Sequence, residues 1–179
     1  MSFYTRKGDD GTTGLLGEGR VAKYHARMEA RGALDESSAT LGLARASVLD
    51  PRCGPLLLES QRDLYRIMAE VAAPPENAHR FHFEARRVEW LEEQTDKLSK
   101  DIEMPKEFIL PGDSQAGATL SLARAIVRRA ERRVVALFDN EEVKNPALQK
   151  YLNRLSSLLF VLELVENRAS GKSTTKAKE

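Results

Sequence analysis

The feature that most constrains this chain is where its glycines stop. Five of the 11 glycines (Gly8, Gly11, Gly14, Gly17 and Gly19) fall within the first twenty residues. Beyond them the sequence is rich in Leu, Ala, Arg and Glu, which lose little side-chain freedom in a helix. An aromatic share of only 6% argues against a typical all-β domain. The expectation is a glycine-rich N-terminal segment followed by helices, and 179 residues suit one domain whose core needs no staples.

Apolar periodicity divides the rest into five helices. Ala30, Leu34, Leu41, Ala44 and Val48 recur near the helical period and predict a first helix over 24–48, ending before Asp50-Pro51. Leu57, Leu64, Ile67, Met68 and Val71 predict a second over 55–73, stopped by Pro74-Pro75, with a loop over 75–83. Val88, Leu91, Thr95, Leu98 and Ile102 are spaced 3, 4, 3 and 4 apart, the cleanest seam, in a third helix over 83–102. The run Phe-Ile-Leu-Pro-Gly at 108–112 reads as a connector with a turn. Asp113 or Ser114 can cap a fourth helix to about 138, and Asn145-Pro146 opens a fifth to about 167. The fold class expected is therefore all-α, a five-helix bundle with short connections. Residues 1–168 form its single domain and 169–179 a polar, disordered tail.

Charge and cysteine usage narrow the setting. Lys+Arg number 28 and Asp+Glu 27, a formal net charge of +1 that gives no general pull toward nucleic acid or a membrane surface. There is no stretch of about twenty apolar residues to span a bilayer. The N-terminus has no apolar signal core, and the lone Cys53 can form neither an internal disulfide nor a zinc cluster. A cytoplasmic location is expected.

Chemistry concentrates in two places. Between Ser121 and Arg133 stand Arg124, Arg128, Arg129, Arg132 and Arg133, with Glu131 the one acid. Arg124, Arg128 and Arg132 are four apart and share one helical face, where like charges repel. Acids on neighbouring helices or a bound polyanion would offset that repulsion, and the planar guanidinium suits phosphate. A solvated, salt-bridged face is the plain alternative; a nucleic-acid helix is disfavoured because few aromatics stand nearby to stack bases. The second place is the stretch Thr5, Arg6, Lys7, Gly8, Asp9, Asp10, Gly11, Thr12, Thr13, Gly14, followed by Lys23. Glycines there permit an anion-binding nest of backbone N–H groups, although a flexible tail has the same composition.

Smaller signals accompany these. Asp35-Glu36 interrupts an apolar face of the first helix, as exposed acids or as partners of a fourth-helix arginine. Asn153-Arg154 interrupts the Leu152, Leu155, Leu159 stripe of the fifth. His79 and His82 have no Cys or carboxylate array beside them, so no metal site is expected. Trp90 reads as packing, and no Ser/His/Asp or Cys/His arrangement is legible.

In this order the pieces resemble the PduO-type ATP:cob(I)alamin (corrinoid) adenosyltransferases. The matching blocks are YTRKGDDGTTG at the start, Lys23, Gly32 with Asp35-Glu36, FILPG at 108–112, ARAIVRRAERR at 123–133 and LNRLSSLLF at 152–160. The resemblance implies a five-helix bundle that assembles as a homotrimer with active sites between subunits. It implies transfer of the 5′-deoxyadenosyl group of ATP to the cobalt of reduced cobalamin, giving adenosylcobalamin and triphosphate, with Mg²⁺ accompanying the nucleotide. By residue, Thr5, Arg6, Lys7, Gly8, Thr13, Gly14 and Lys23 would wrap ATP. From the next subunit, Arg128, Arg129, Glu131, Arg132 and Asn153 would complete that site. Arg124 would pair with Asp35 at the subunit boundary, which puts both with Arg128 in the catalytic set, and Phe108 would stand against the lower face of the corrin ring. A cobalamin reductase and an adenosylcobalamin-dependent mutase or dehydratase are the implied partners. This chain departs from the family pattern at Asp113, Ser121, Ala125 and Ser157, and its tail has no aromatic residue. Those departures motivate the alternative of a non-catalytic ATP/corrinoid-binding or adenosylcobalamin-delivery protein.

Overall fold

The computed structural model describes residues 4–178; residues 1–3 and 179, the extreme ends of the expected domain and tail, lie outside the described residues. Five helices carry the fold: α1 (Ala26–Arg45), α2 (Cys53–Ala72), α3 (Arg86–Ser99), α4 (Gln115–Asp139) and α5 (Pro146–Ala169). Each lies within two or three residues of its expected span at most ends, and the caps explain the clearest boundaries. The Ser114 hydroxyl accepts from the Gly117 N–H at 2.9 Å, and the Asn145 side chain accepts from the Ala147 N–H at 3.0 Å with Pro146 at the first helical position. The expected loop over 75–83 holds a short 3₁₀ turn, Ala78–Phe81.

The helices pack in the spatial order α2, α1, α4, α5, α3. Leu34, Leu41, Leu57, Leu64, Ile67, Leu91, Leu120, Leu137, Leu148 and Leu152 are fully buried between them. Each such side chain contributes about 2 kcal/mol of transfer free energy. At one end α4 and α5 approach closely. A Cβ on Gly117 would stand 2.2 Å from Asn167 Oδ1, so a larger residue there would have to displace the Asn167 side chain, whose oxygen also accepts from the Ser114 hydroxyl at 2.7 Å.

Two buried acids lock the bundle in ways apolar periodicity does not show. Asp63 on α2, fully buried, accepts from Arg87 at 2.7 Å, from Arg66 at 2.7 Å and from the Tyr151 hydroxyl at 2.8 Å. It thus joins α2, α3 and α5, and burial beside that carboxylate pushes the Tyr151 phenol well up. Arg87 also lies 4.2 Å over the Trp90 ring, so Trp90 does pack, against a cation. Glu166 on α5, also fully buried, accepts from the N–H groups of Leu49 and Asp50 and fixes the α1–α2 turn. Cys53 is free and buried; desolvation, with Glu166 and Asp50 nearby, pushes its thiol up.

The C-terminal residues correct the expectation of a disordered tail. Residues 170–178 fold back along the 108–112 connector: Ile109 and Lys176 form an antiparallel bridge, and Leu110 N–H donates to Thr175 C=O at 2.9 Å. Asp113 accepts from both the Thr175 hydroxyl, at 2.6 Å, and its N–H, at 3.0 Å. Those bonds hold Asp113 below the usual carboxylate range. A polar tail needs no core when a strand edge and an acid supply its partners. No helix of the described residues is long and apolar enough to cross a membrane.

Candidate active site

The glycine-rich stretch builds a braced loop. Gly8 C=O accepts from the Gly11 N–H at 3.2 Å, and the chain then pairs as a two-stranded antiparallel ribbon, β1 (Thr12–Gly14) against β2 (Arg20–Ala22). Asp10 accepts from the Thr12 N–H at 2.9 Å and its hydroxyl at 2.8 Å, bonds that hold its carboxyl low. Arg20 reaches across from β2 to Thr12 Oγ1 at 2.6 Å and Lys7 C=O at 2.5 Å. Lys23 N–H donates to Gly11 C=O at 2.9 Å, and its ammonium lies where a Cβ on Gly8 would be 3.3 Å away. Lys7, Gly8, Thr13 and Lys23 are thereby brought into one loop, with Thr5 and Arg6 leading into it; Arg6 has a left-handed φ of 59° and lies over the Tyr4 ring. Arg20 and Asp10, the residues that brace this loop, were not singled out as site residues from sequence. Their i+2 turn bond and cross-strand reach become visible only once the ribbon is known.

The arginine ladder lies along the outer side of α4. Arg128, Arg129 and Arg132 are exposed, and Glu131 is half-buried. Asn153 Nδ2 donates to Glu131 Oε1 at 2.9 Å, and Arg154 donates to Asn153 Oδ1 at 2.7 Å while pairing with Glu92 at 2.8 Å. The inward polar break in α5 therefore meets the one acid of the ladder. Arg129 pairs with Glu36 of α1. Among the described residues, Arg128 and Arg132 form no ion pair, so two cations on one face keep their donors for something else.

Asp35 and Arg124 are not paired within the chain. Asp35 is exposed beside Arg31, Leu16 and Tyr65, whereas Arg124 lies 5.6 Å over the Phe160 ring on the other side of α4. It is Glu36 that pairs with an α4 arginine inside one chain. Nor does any hydrogen bond or ion pair among the described residues join the N-terminal loop to Arg128, Arg132 or Asn153.

A third element is a cavity of about 580 Å³ between the connector and the α4–α5 pair. Phe108 stands at its mouth, 89% exposed, an unusual position for a large apolar ring. Lys106, Glu107, Ile109, Pro111, Ser121, Arg124, Ala125, Phe160 and Glu163 complete the lining. Two of the departing residues, Ser121 and Ala125, thus face this cavity, Asp113 holds the tail beside it, and Ser157 is exposed. Glu163 was missed from sequence, because an acid within a run of buried leucines gives no periodic signal.

Comparison with known proteins converges on one family. The family model described as cobalamin adenosyltransferase matches residues 3–166. The corrinoid adenosyltransferase PduO of Salmonella typhimurium is 38% identical over 169 residues, covering 93% of this chain and 50% of that protein. The chain thus spans about half the length of that relative. The corrinoid adenosyltransferase of Bacillus subtilis is 39% identical over 175 residues, 96% of this chain and 89% of its own length. Among solved structures, a variant of the PduO-type ATP:corrinoid adenosyltransferase from Lactobacillus reuteri, complexed with cobalamin and ATP, superimposes with a TM-score of 0.92 at 30% identity. That match covers 99% of this chain and 100% of the other. With its five-helix bundle, braced glycine loop and arginine-bearing α4, the chain belongs to the cobalamin adenosyltransferase family.

Proposed function

We propose that this protein transfers the 5′-deoxyadenosyl group of ATP to the cobalt of cob(I)alamin, releasing triphosphate, at a site built from two chains of a homotrimer. The observation that carries the reading is the separation of two cation sets. The loop around Gly8 and Lys23 and the Arg128 and Arg132 of α4 are both suited to phosphate, yet among the described residues no hydrogen bond or ion pair joins them within one chain. A neighbouring chain that brings the two together would enclose a triphosphate between them, and would let Asp35 of one subunit meet Arg124 of the next. The solved L. reuteri relative complexed with cobalamin and ATP supports the choice of ligands.

The chemistry asks little covalent work of the protein. Cob(I)alamin is a strong nucleophile, so no base is needed to activate it. As cobalt attacks C5′, the C5′–O bond breaks and charge gathers on the departing triphosphate. Lys7, Lys23, Arg128 and Arg132, already in place, stabilise that charge as it develops. Glu131 and Asn153, bonded to one another, would take the ribose or base rather than the phosphates, since an acid repels an anion. Phe108, exposed at the cavity mouth, would exclude an axial ligand from the corrinoid and so favour reduction to Co(I).

Mg²⁺ fits as the companion of ATP. Asp10 is already engaged by Thr12 and Arg20, and among the described residues no group of three His, Cys, Asp or Glu stands together. The hydroxyls of Thr5 and Thr13 would be the chain's own hard donors, with phosphate oxygens and water completing the shell. The ion would supply further positive charge to the triphosphate.

A cytoplasmic cobalamin reductase would deliver the electron, and a cobalamin-dependent mutase or dehydratase would take the product. The test is an anaerobic mixture of protein, ATP, Mg²⁺ and chemically reduced cob(I)alamin. Conversion of the corrinoid spectrum to that of adenosylcobalamin is the expected result. Stoichiometric binding without conversion would make the protein a carrier instead. Mixing inactive Lys23→Ala and Arg128→Ala chains should restore part of the activity if the site spans two subunits; no recovery contradicts that arrangement.

A further inference from the structure

Helix α2 ends where its own chain cannot finish it. Its last turn, Ala69-Glu70-Val71-Ala72, is followed by Ala73 and then by Pro74-Pro75, which have no N–H to give a helix end. The Ala73 N–H takes the carbonyls of Ala69 and Glu70, at 3.1 and 3.3 Å. The carbonyls of Val71, Ala72 and Ala73, all on buried residues, need partners from elsewhere. Each of them accepts from the N-terminal segment. Val71 and Ala73 accept from Arg27 Nη1, at 2.7 Å in both cases, and Ala72 accepts from the Leu16 N–H at 2.9 Å.

Arg27 is the second residue of α1 and is only 4% exposed, a place where an arginine is rare. Its Nη2 donates to the Glu142 C=O at 2.9 Å, and its Nε lies 3.4 Å from the Glu142 carboxylate. One guanidinium thus joins α1, the end of α2 and the α4–α5 loop. The negative end of the α2 dipole and the Glu142 carboxylate offset the cost of burying that charge. The two anchors bracket the nucleotide loop. Leu16 follows β1 by two residues and Arg27 follows Lys23 by four, so the stretch carrying β2 and Lys23 is tied at both ends to one helix terminus. Between the anchors the Lys23 N–H donates to Gly11 C=O, and His25 Nδ1 accepts from the Arg27 N–H at 3.2 Å as the cap of α1.

We propose that Arg27 is a positioning residue for ATP: by closing the C-terminus of α2 it sets where the loop of Lys7, Gly8 and Lys23 stands on the bundle, and so sets nucleotide affinity without touching either substrate. The inference rests on the adenosyl-transfer reading and adds to it a determinant outside the site. Lysine at position 27 keeps the charge, but its three donors sit on one nitrogen at the end of a flexible stem. It cannot reproduce the planar fan that meets two carbonyls of α2 and one of Glu142. The loop is then held to α2 through Leu16 alone.

The experiment compares wild type, Arg27→Lys, Glu142→Gln and Tyr151→Phe, the last a buried change away from the loop that serves as a stability control. KM for ATP and for cob(I)alamin are measured separately in anaerobic turnover, and backbone hydrogen exchange is read at Leu16 and Lys23. In Arg27→Lys the ATP KM rises about tenfold, the scale of one lost hydrogen bond from a charged donor, while the corrinoid KM stays within about twofold. Both amides exchange about tenfold faster or more, because the loop opens locally without global unfolding. Glu142→Gln, which removes only the carboxylate, raises the ATP KM by about threefold. Tyr151→Phe lowers the thermal midpoint and leaves the ATP KM within about twofold of wild type. An unchanged ATP KM in a folded Arg27→Lys overturns the proposal, as does an equal rise in both KM values or a matching ATP effect in Tyr151→Phe. Should Arg27→Lys not fold, Glu142→Gln decides: wild-type ATP KM in that variant overturns the proposal. If the wild type makes no adenosylcobalamin, the functional reading fails, and exchange together with titration by ATP and Mg²⁺ then decides Arg27 alone: wild-type values of either in Arg27→Lys overturn it.

Discussion

Asn153 donates its side-chain N–H to Glu131 at 2.9 Å, joining α5 to the middle of the arginine ladder on α4. The bond gives the one acid of the ladder a partner on α5, while Arg128 and Arg132 form no ion pair among the described residues. Asn153→Ala should lower kcat/KM for ATP about tenfold, the cost of losing one to two contacts at a polar ligand edge. Stability should fall by no more than about 1 kcal/mol, because the pair is only half-buried. Urea unfolding beside steady-state kinetics with varied ATP checks both halves.

On the proposed function, Arg128 should bear on catalysis more sharply. It is exposed and forms no ion pair among the described residues, so its removal should barely change the fold, by less than about 0.5 kcal/mol. Arg128→Ala should nevertheless lower kcat about 10² to 10³-fold, the range for one lost electrostatic donor at a site of developing charge. Circular dichroism and turnover on the same sample test this. Full turnover in the variant would remove Arg128 from the mechanism.

The expectations from sequence and the fold agree where the physics is local. Helical period, the Ser114 and Asn145 caps and the Pro74-Pro75 stop are each decided within one or two turns, and the five helices follow from them. Asn153 was legible as a polar break in an apolar stripe, whereas the identity of its partner on α4, Glu131, was not. What could not be read depends on distance along the chain. The Asp63–Arg87–Tyr151 lock joins residues up to 88 apart in sequence, and each of the three reads alone as an ordinary polar or aromatic residue. The tail gave a composition typical of disorder, yet its backbone edge found the connector and its Thr175 found Asp113. The surroundings of Arg124 within the chain depend on distance too: Phe160 and Glu163, which line its cavity, lie 36 and 39 residues away in sequence.

The Asp63 lock predicts a large stability effect remote from the ligand sites. Asp63→Asn leaves Arg87 and Arg66 facing a neutral amide in a buried setting and should cost about 3 kcal/mol. Tyr151→Phe removes one hydrogen bond to the same carboxylate and should cost about 1 to 2 kcal/mol. Chemical denaturation monitored through Trp90, which stacks on Arg87, would report both. If Asp63→Asn is neutral, the lock is not a determinant of stability.

On the proposed function, replacing Phe108 should separate folding from redox chemistry. At 89% exposure its replacement by Ala should leave the thermal midpoint unchanged, within about 0.5 kcal/mol. Activity should fall strongly when the corrinoid is supplied as Co(II) with a reductant. It should fall less when Co(I) is generated beforehand if, as proposed, the ring acts on the axial ligand and not on the transfer step. Equal losses in the two assays would place Phe108 in binding alone.

The central claim is that bond breaking occurs at C5′ of ATP. Anaerobic turnover of ATP labelled with ¹³C at that carbon, with cob(I)alamin and Mg²⁺, tests it directly by NMR of the corrinoid and ion chromatography of the phosphates. The account predicts the label on a carbon bonded to cobalt and triphosphate in equal amount. Unlabelled corrinoid, or ADP and phosphate in place of triphosphate, would contradict it.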